Sequence, residues 1–430
     1  MKAALAALMA MLAATAGAAA DRNPTPGAAL VLQLPGMHRV EVRHSRGLDV
    51  YRAPGARGRL PAVLVGAPRR SGRAIGWGQA IAVSGMSAVV FSGNPRTAIA
   101  AVRSDAVRLG IDASRLCALG FSSGASRQLS APGLRCNAVY YAALDPGQAR
   151  ARMTPLLVLK AGRDTVSSAA IDRFASAAQA VHADVRVVTN PVGARGFDTG
   201  ARTRPAQAAV KETLRFLRAR LARPVQLDAS CVSRAERRSA LRFFAADDTP
   251  LAGVVLGSGS RAVVLVHEID GSLCDWVPYA RSLAARGLRV LAYNSRRPGI
   301  RVDLDVAAAV EAMRRTGSEH VVVTGASLGA TGVAIGSASL AEQPAAVVSL
   351  SAPASFGPLR AIPAVARLHS PVFFAASADD EPFATDAQSL YAASASTERQ
   401  LAILPGLAHG IQLLDDAALR ARVTAFITTH

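Results

Sequence analysis

Two copies of one pattern occupy the two halves of the sequence, and this repeat constrains the fold more than any other feature. In each copy an apolar run ends in a loop, and a tryptophan, an alanine-rich helical stretch and a second apolar run follow. The tryptophans are Trp77 and Trp276. The apolar runs are residues 62–65 and 88–91 in the first copy and residues 263–266 and 288–291 in the second. Short apolar strands that alternate with helices indicate parallel sheets covered on both faces, so the repeat predicts two α/β domains in tandem.

The repeat also sets the expected domain boundaries. The first domain should cover residues 28–222 and the second residues 240–430, with the polar, arginine-rich stretch 223–239 as the linker. We expect the two domains to bury an apolar interface between them, because two units of the same fold can cover surface that neither presents safely alone. The sequence does not determine the oligomeric state.

The first twenty residues have the pattern of an export signal. Lys2 is followed by an apolar stretch, and small residues at 18–20 form a cleavage site before Asp21. A membrane anchor is the rival interpretation, but the apolar run is short, dominated by alanine and followed at once by polar, proline-rich residues. We therefore expect residues 1–20 to be removed, no stable membrane insertion, and a periplasmic or secreted protein.

Composition narrows the possible partners. Lys+Arg exceeds Asp+Glu by 49 to 30, which gives a net charge of +19, yet aromatic residues make up only 5% of the chain. The arginines are scattered, and no basic stripe is interleaved with stacking residues, so nucleic-acid binding is not expected. Four cysteines are too few for a disulfide scaffold; Cys231 could pair with Cys274, or the thiols could be buried and free. No metal-ligand spacing and no glycine-rich phosphate loop occurs, so neither metal nor cofactor is expected.

Each half carries a G-x-S-x-G sequence centred on Ser122 and on Ser327. In the second half a buried strand at residues 321–324 runs into Gly325, and residues 330–338 can continue as a helix. A serine on such a strained strand-to-helix turn needs flanking glycines, because side chains there would collide. The context thus predicts that both serines lie on strained strand-to-helix turns, or elbows.

The second half supplies the partners that an active serine needs. A serine hydroxyl is a weak nucleophile unless a base removes its proton and a carboxylate orients that base. Ser327, Asp380 and His409 follow one another in the order expected for a hydrolase with this kind of sheet. These three residues are the predicted catalytic residues.

Asp380 is preferred to its neighbour Asp379 because of a spacing that recurs. In the first half Asp164 lies nine residues after the proline that opens its strand, Pro155. In the second half Asp380 lies nine residues after Pro371. The repeat therefore favours Asp380 as the acid.

Both halves resemble the α/β-hydrolase fold, and the second is similar to the dienelactone hydrolase and serine esterase branches. The stretch Val266-His267-Glu268-Ile269-Asp270-Gly271 resembles the loop after the third strand in those enzymes. The resemblance implies an oxyanion hole made by the backbone N–H groups of Ile269 and Leu328. His267 is expected to be packed rather than to ligate a metal. Because Ser327 stands where dienelactone hydrolases have cysteine, a lactone substrate does not follow.

The first half departs from this pattern at the histidine. Residues 110–115 resemble the approach to the nucleophile in bacterial esterases, but Arg195 occupies the expected histidine position, 31 residues after Asp164. Arginine stays protonated and cannot act as a general base. His182, in the stretch before it, is expected to be structural. We therefore interpret the first half as a degenerate site with Ser122 and Asp164 but no base, in which Arg195 pairs with Asp164 or binds an anionic group.

The expected function is that of an exported serine hydrolase, most simply a carboxylesterase acting on small-molecule esters through an acyl-enzyme on Ser327. Only residues 351–371 separate two expected strands near the site, too few for a large cap domain. A peptidase or thioesterase would use the same residues. The alternative from another class is a non-catalytic binding or scaffold protein built from two retired hydrolase domains.

Overall fold

The computed structural model describes residues 30–227, 230–297 and 299–430. The expected export signal, residues 1–20, lies outside this part of the chain. The chain divides into two compact units between Ala222 and Arg223.

The first unit is built on an eight-stranded sheet with strand order β1-β2-β4-β3-β5-β6-β7-β8. Strands β3 to β8 run parallel, and β2 is antiparallel to both of its neighbours. The strands are β1 (Glu41–Ser45), β2 (Leu48–Arg52), β3 (Leu60–Gly66), β4 (Ser87–Phe91), β5 (Ile111–Phe121), β6 (Cys136–Tyr140), β7 (Leu156–Ala161) and β8 (Val185–Asn190). The helices are α1 (Gly72–Val83), α2 (Pro95–Ser104), α3 (Ala106–Leu109), α4 (Ala125–Leu129), α5 (Ser168–Ala180) and α6 (Arg204–Leu221).

The second unit repeats this architecture with strand order β18-β17-β14-β13-β11-β12-β10-β9 and a separate two-stranded hairpin, β15-β16. The strands are β9 (Ala240–Phe244), β10 (Pro250–Leu256), β11 (Ala262–Val266), β12 (Arg289–Asn294), β13 (Val321–Ala326), β14 (Ala346–Leu350), β15 (Ser355–Phe356), β16 (Leu359–Arg360), β17 (Val372–Ser377) and β18 (Arg399–Leu404). The helices are α7 (Leu273–Ala284), α8 (Val302–Arg315), α9 (Leu328–Ser339), α10 (Ile362–Val365), α11 (Phe383–Ala393) and α12 (Ala417–Thr429). Strand β10 is antiparallel to β9 and β12, as β2 is to its neighbours in the first unit. The prediction of two α/β domains with mostly parallel sheets is confirmed.

Both faces of each sheet are buried, which explains why the strands are apolar without alternation. In β11, Val263 and Leu265 pack into one apolar cluster, and Val264 and Val266 pack into another. Successive side chains of a strand point to opposite faces, so two helix layers cover one sheet. Trp276 of α7 packs into the first of these clusters and is fully buried.

The stretch expected to be a linker is attached to the second unit over part of its length. Cys231 forms a disulfide with Cys274 of α7, and Glu236 lies 2.9 Å from Arg281 of the same helix. A second disulfide, which the sequence did not suggest, joins Cys117 to Cys136, residues that face each other on neighbouring strands. The alternative of free thiols is therefore wrong for all four cysteines.

The connection between β14 and β17 consists of the β15-β16 hairpin and the four-residue helix α10. No large cap domain is inserted there, as the short spacing predicts. No helix in the described ranges combines the length and the apolar character needed to cross a bilayer.

Candidate active site

Ser327 lies on a sharp turn between β13 and α9. Its backbone has φ 50° and ψ −123°, a strained conformation for a residue with a side chain. A Cβ atom at Gly325 would come within 2.6 Å of the backbone of Gly329, and one at Gly329 would come within 2.5 Å of the carbonyl oxygens of Val266 and His267. Both glycines of the G-x-S-x-G sequence are thus required by close backbone approach.

The same approach brings the loop after β11 against the start of α9. Leu328 is the first residue of α9, where backbone N–H groups have no partner within the helix. The β11 loop, which packs against Gly329, carries Ile269 two residues beyond His267. The two residues expected to form the oxyanion hole therefore belong to elements that are in contact.

Asp380 and His409 are joined by a hydrogen bond. The Asp380 Oδ2 atom lies 2.7 Å from Nδ1 of His409. The two residues follow β17 and β18, neighbouring parallel strands whose carboxyl ends share one edge of the sheet. Asp379 is exposed and does not take part in this bond; its backbone N–H donates to the carbonyl oxygen of Gly406.

The loop that carries His409 lies beside the serine elbow. A Cβ atom built on Gly410 would lie 3.4 Å from Cβ of Ala326, the residue before Ser327. Among the described residues no hydrogen bond joins Ser327 Oγ to His409. Such bonds are often long in an enzyme without substrate and tighten when substrate binds.

Three hydrogen bonds hold the histidine loop, and sequence reasoning missed all three of the side chains that make them. Ser377 Oγ donates to the carbonyl oxygen of Ala408 over 2.8 Å. The N–H of Gly410 donates to Ser351 Oγ over 3.0 Å, and the N–H of Ile411 donates to Glu268 Oε1 over 2.8 Å. Ser351 and Ser377 each stand at or just after the end of a buried strand, and this position was the one signal that could have identified them.

Phe383 also contacts the site. Its ring lies edge-on to the imidazole of His409, with ring centroids 4.3 Å apart. Phe383 is the first residue of α11 and comes three residues after Asp380. The aromatic ring restricts the orientations that the imidazole can adopt, in addition to the bond from Asp380.

His267 is a buried structural residue. Its Nδ1 atom lies 2.5 Å from the carbonyl oxygen of Glu268, and Nε2 lies 2.9 Å from the backbone nitrogen of Ser295. A carbonyl only accepts and an amide N–H only donates, so the ring is neutral with its proton on Nδ1. Burial lowers the pKa of His267, although the bond to Glu268 opposes this shift. Both ring nitrogens are occupied, and no lone pair remains for a metal.

In the first unit Arg195 bridges the serine and the acid. Its Nη1 atom donates to Ser122 Oγ over 2.5 Å, and its Nη2 atom lies 3.2 Å from Oδ2 of Asp164. Ser122 has φ 54°, the same strained turn as Ser327. Arg195 therefore stands between serine and acid, in the place that a general base would occupy.

Asp164 is held as a carboxylate. Burial favours its neutral form, but the hydroxyl of Ser167, the N–H of Val166 and the guanidinium of Arg195 together lower its pKa. The Ser167 hydroxyl donates to Oδ2 over 2.5 Å, and the Val166 N–H donates to Oδ1 over 2.9 Å. His182 lies in the turn between α5 and β8, before the amino end of β8, whereas Asp164 follows the carboxyl end of the neighbouring parallel strand β7.

The first elbow has also lost part of its close packing. A Cβ atom built on Gly124 would meet no atom within 4 Å, in contrast to Gly329 in the second unit. The helix after the first elbow, α4, has 5 residues, whereas α9 has 12. The first site thus keeps its serine and acid in a less constrained frame.

No protein-family model matches the chain, and no curated protein matches it. Among solved structures, an esterase of Pyrococcus furiosus is similar over 48% of this chain and 97% of its own, with a TM-score of 0.42 and 15% identity. An esterase of Rhodococcus sp. is similar over 44% of this chain and 98% of its own, with a TM-score of 0.37 and 17% identity. A monoacylglycerol lipase of Paleococcus ferrophilus is similar over 42% of this chain and 99% of its own, with a TM-score of 0.37 and 14% identity. Identity this low is uninformative about the reaction or the substrate of this chain.

Proposed function

We propose that the second unit is a serine hydrolase that cleaves carboxylic esters. The observation that supports this best is the 2.7 Å hydrogen bond between Asp380 and His409. His409 belongs to a loop that lies beside the Ser327 elbow. A histidine oriented by a carboxylate next to a strained serine is the arrangement that activates a hydroxyl for acyl transfer.

In the acylation step Ser327 Oγ attacks the ester carbonyl carbon, and His409 Nε2 takes the hydroxyl proton. Asp380 fixes the imidazole with its proton on Nδ1 and stabilises the imidazolium that forms. The tetrahedral intermediate then collapses: the carbon–oxygen bond to the alcohol breaks, and His409 returns the proton to the leaving alkoxide. The product of this step is an acyl-enzyme on Ser327.

The negative charge on the carbonyl oxygen is stabilised by the N–H groups of Leu328 and Ile269. The dipole of the 12-residue helix α9 adds a favourable field at its amino end. Donors that are fixed before the reaction need no reorganisation, and one such donor typically contributes about 3–4 kcal/mol of transition-state stabilisation. In deacylation water takes the place of the alcohol, with His409 as base, and a carboxylic acid is released.

The surroundings of the site suit small, accessible esters. Within the described ranges, the connection between β14 and β17 holds only a hairpin and a four-residue helix, so no cap domain is inserted there. Ile269, Ile300 and Leu407 follow three of its strands and are exposed by 38%, 45% and 71%. Apolar side chains at this edge favour a substrate with an apolar acyl or alcohol group.

We further propose that the protein is exported and that its first unit is catalytically inactive. The two disulfides support an oxidising compartment, because disulfides persist outside the cytosol. Arg195 supports the inactivity of the first unit, because a guanidinium cannot accept the serine proton. A thioester or an amide would be cleaved by the same residues, and the ester is favoured as the simplest of the three substrates.

The proposal is tested by labelling the full chain with a fluorophosphonate and mapping the modified peptide. We expect one adduct, on Ser327, and loss of ester hydrolysis in proportion to labelling. No adduct, together with no hydrolysis of short-chain ester, thioester and amide substrates, would support the scaffold alternative instead. An adduct on Ser122 would contradict the proposed inactivity of the first unit.

A further inference from the structure

A cleft of about 590 Å³ opens beside Ser122 in the first unit. It lies at the carboxyl ends of β3, β4 and β5, where ligands bind in open parallel sheets. Its volume is in the range of pockets that hold small organic molecules. The degenerate site therefore still has room for a ligand, although it has no base.

The charge of this cleft is positive. Arg73 and Arg127 line it, and no carboxylate does. The charge of Arg73 is balanced by the fully buried Asp198, whose Oδ2 lies 3.0 Å from Nε of Arg73. Arg127 is exposed, and its guanidinium has no hydrogen-bond or ion-pair partner in the described ranges. Among the charges that line the cleft, the positive charge of the Arg127 guanidinium is therefore the one that no carboxylate compensates.

Ser122 presents a hydrogen-bond donor to the same cleft. Its Oγ atom accepts a hydrogen bond from Arg195 Nη1 over 2.5 Å, so its own hydrogen is available for a second acceptor. Because Arg195 is itself balanced by Asp164, it supplies donors without adding net charge. A donor hydroxyl and an uncompensated guanidinium that line one cleft are suited to an anionic group.

Part of the remaining wall is aromatic, beside an arginine whose position is fixed. Phe91 and Phe121 line the cleft, and the guanidinium of Arg73 lies 5.1 Å from the ring centroid of Phe121. Arg73 also bonds Thr199 Oγ1 over 3.1 Å, so its position is fixed from two sides. The two phenylalanine rings favour a ligand with an apolar body as well as a charged end.

We propose that this cleft binds a small organic carboxylate, with the carboxylate at Arg127 and Ser122 and the apolar body against Phe91 and Phe121. A single uncompensated positive charge matches a monoanion better than a dianionic phosphate. Arginine also matches the planar carboxylate with two parallel hydrogen bonds. This inference uses none of the residues of the Ser327 site and stands whether or not the second unit hydrolyses esters.

Isothermal titration calorimetry on the full-length chain tests the proposal, with benzoate, the neutral benzamide and inorganic phosphate as probes. The Ser327→Ala variant serves as the starting protein, so that heat of turnover at the second site does not contribute. We expect one benzoate per chain, with benzamide and phosphate at least tenfold weaker, and benzoate affinity that falls as salt concentration rises.

Arg127→Gln carries the test, because an exposed side chain without partners can be changed with little effect on folding. We expect it to weaken benzoate binding at least tenfold, which corresponds to about 1.4 kcal/mol. The matched control is Arg173→Gln, an exposed arginine of α5, which should leave the affinity unchanged. Ser122→Ala should weaken binding several-fold without changing the unfolding temperature.

Three results would overturn the proposal. Benzamide that binds as tightly as benzoate would show that the charge plays no part. An Arg127→Gln variant with unchanged affinity, and with the same unfolding temperature as its parent, would place the ligand elsewhere. No benzoate binding at millimolar concentration would mean that the cleft does not recognise carboxylates.

Discussion

Arg195 and Ser122 are joined by a 2.5 Å hydrogen bond from guanidinium to hydroxyl, at the position where a general base would receive the serine proton. The same guanidinium lies 3.2 Å from Asp164, so serine and acid are bridged by a group that cannot take up a proton. In the second unit the corresponding acid, Asp380, bonds His409 instead. One side chain thus separates the two sites chemically, although both keep a serine elbow and an acid.

The two serines are expected to differ in their contribution to hydrolysis. Ser327→Ala should reduce ester hydrolysis to the background rate, while Ser122→Ala should retain most of it, because the acid of the second site bonds a histidine whereas that of the first pairs with Arg195. Steady-state kinetics on a p-nitrophenyl ester measures both variants. Equal losses in the two variants would contradict the assignment of activity to the second unit.

Asp380→Asn should lower kcat by about four orders of magnitude, because an asparagine favours the wrong tautomer of His409. Asp379→Asn, the neighbouring control, should change kcat by less than about threefold, because the side chain of Asp379 is exposed and unbonded to the histidine. Kinetics on the two variants separates them. A larger loss in the Asp379 variant would place the orienting acid one residue earlier.

Arg195→His should restore fluorophosphonate labelling of Ser122 in part. The imidazole would have Asp164 as its partner and the serine elbow as its neighbour, which are the two contacts that Arg195 makes now. Full restoration is not expected, since a displacement of about 1 Å can cost a hundredfold in rate. Peptide mapping in the Ser327→Ala background measures the effect, and Arg195→Gln is the control that should not label. Labelling of the glutamine variant to the same extent would show that removal of the guanidinium, not a base, reactivates Ser122.

Ser351→Ala should impair the histidine loop. The hydroxyl of Ser351 accepts the buried N–H of Gly410, and an unsatisfied buried donor costs about 1–3 kcal/mol. We expect a lower unfolding temperature together with a kcat about tenfold to a hundredfold lower, because His409 adjoins Gly410. Loss of stability with kcat unchanged would mean that Ser351 supports the fold and does not position the histidine.

Arg296→Met should destabilise the second unit and change its dependence on pH. Arg296 donates from Nη1 to Asp247 over 2.5 Å and from Nε to the fully buried Asp305 over 2.7 Å. Removal of the guanidinium leaves the Asp305 charge buried and unpaired, at a cost of about 3–5 kcal/mol. Arg301→Gln, which breaks only the more exposed pair with Asp303, is the control and should cost about 1 kcal/mol or less.

The sign of the pH effect follows from the two carboxylates. Burial raises the pKa of Asp305, and loss of the Arg296 guanidinium should raise this pKa further. The folded variant then binds more protons than the unfolded chain, so its stability increases as pH falls. In the unaltered protein the pKa of Asp247 is about 2; burial opposes this shift, and the hydrogen bonds from Arg296 and Thr249 produce it. Its contribution to stability is present above the ordinary value of 3.8 and is lost only as pH falls toward 2. Chemical denaturation measures the free energy of unfolding of the unaltered protein and of Arg296→Met. The difference between these two free energies should be smaller at about pH 5 than at about pH 8. An equal difference at both pH values would contradict an unpaired Asp305 in the variant.

The internal repeat and the strand patterns could be read from the sequence because they are local. Each expected strand occupies a run whose side chains alternate between two buried faces, as Val263 and Val264 do in β11. The serine elbows follow from glycines that flank one residue. The period of apolar residues along a strand and the glycines of a turn depend only on neighbours in the chain, so a single sequence is enough to predict strands and elbows.

The tertiary structure alone decided which side chains meet across strands. Cys117 and Cys136 pair because β5 and β6 are neighbours in register, and Ser351, Ser377 and Glu268 reach one histidine loop because three separate strands end at the same edge. Arg195 reaches both Ser122 and Asp164 for the same reason. Such contacts depend on the lateral order of strands, which is set by packing between residues far apart in the chain and leaves no periodic signal in the sequence.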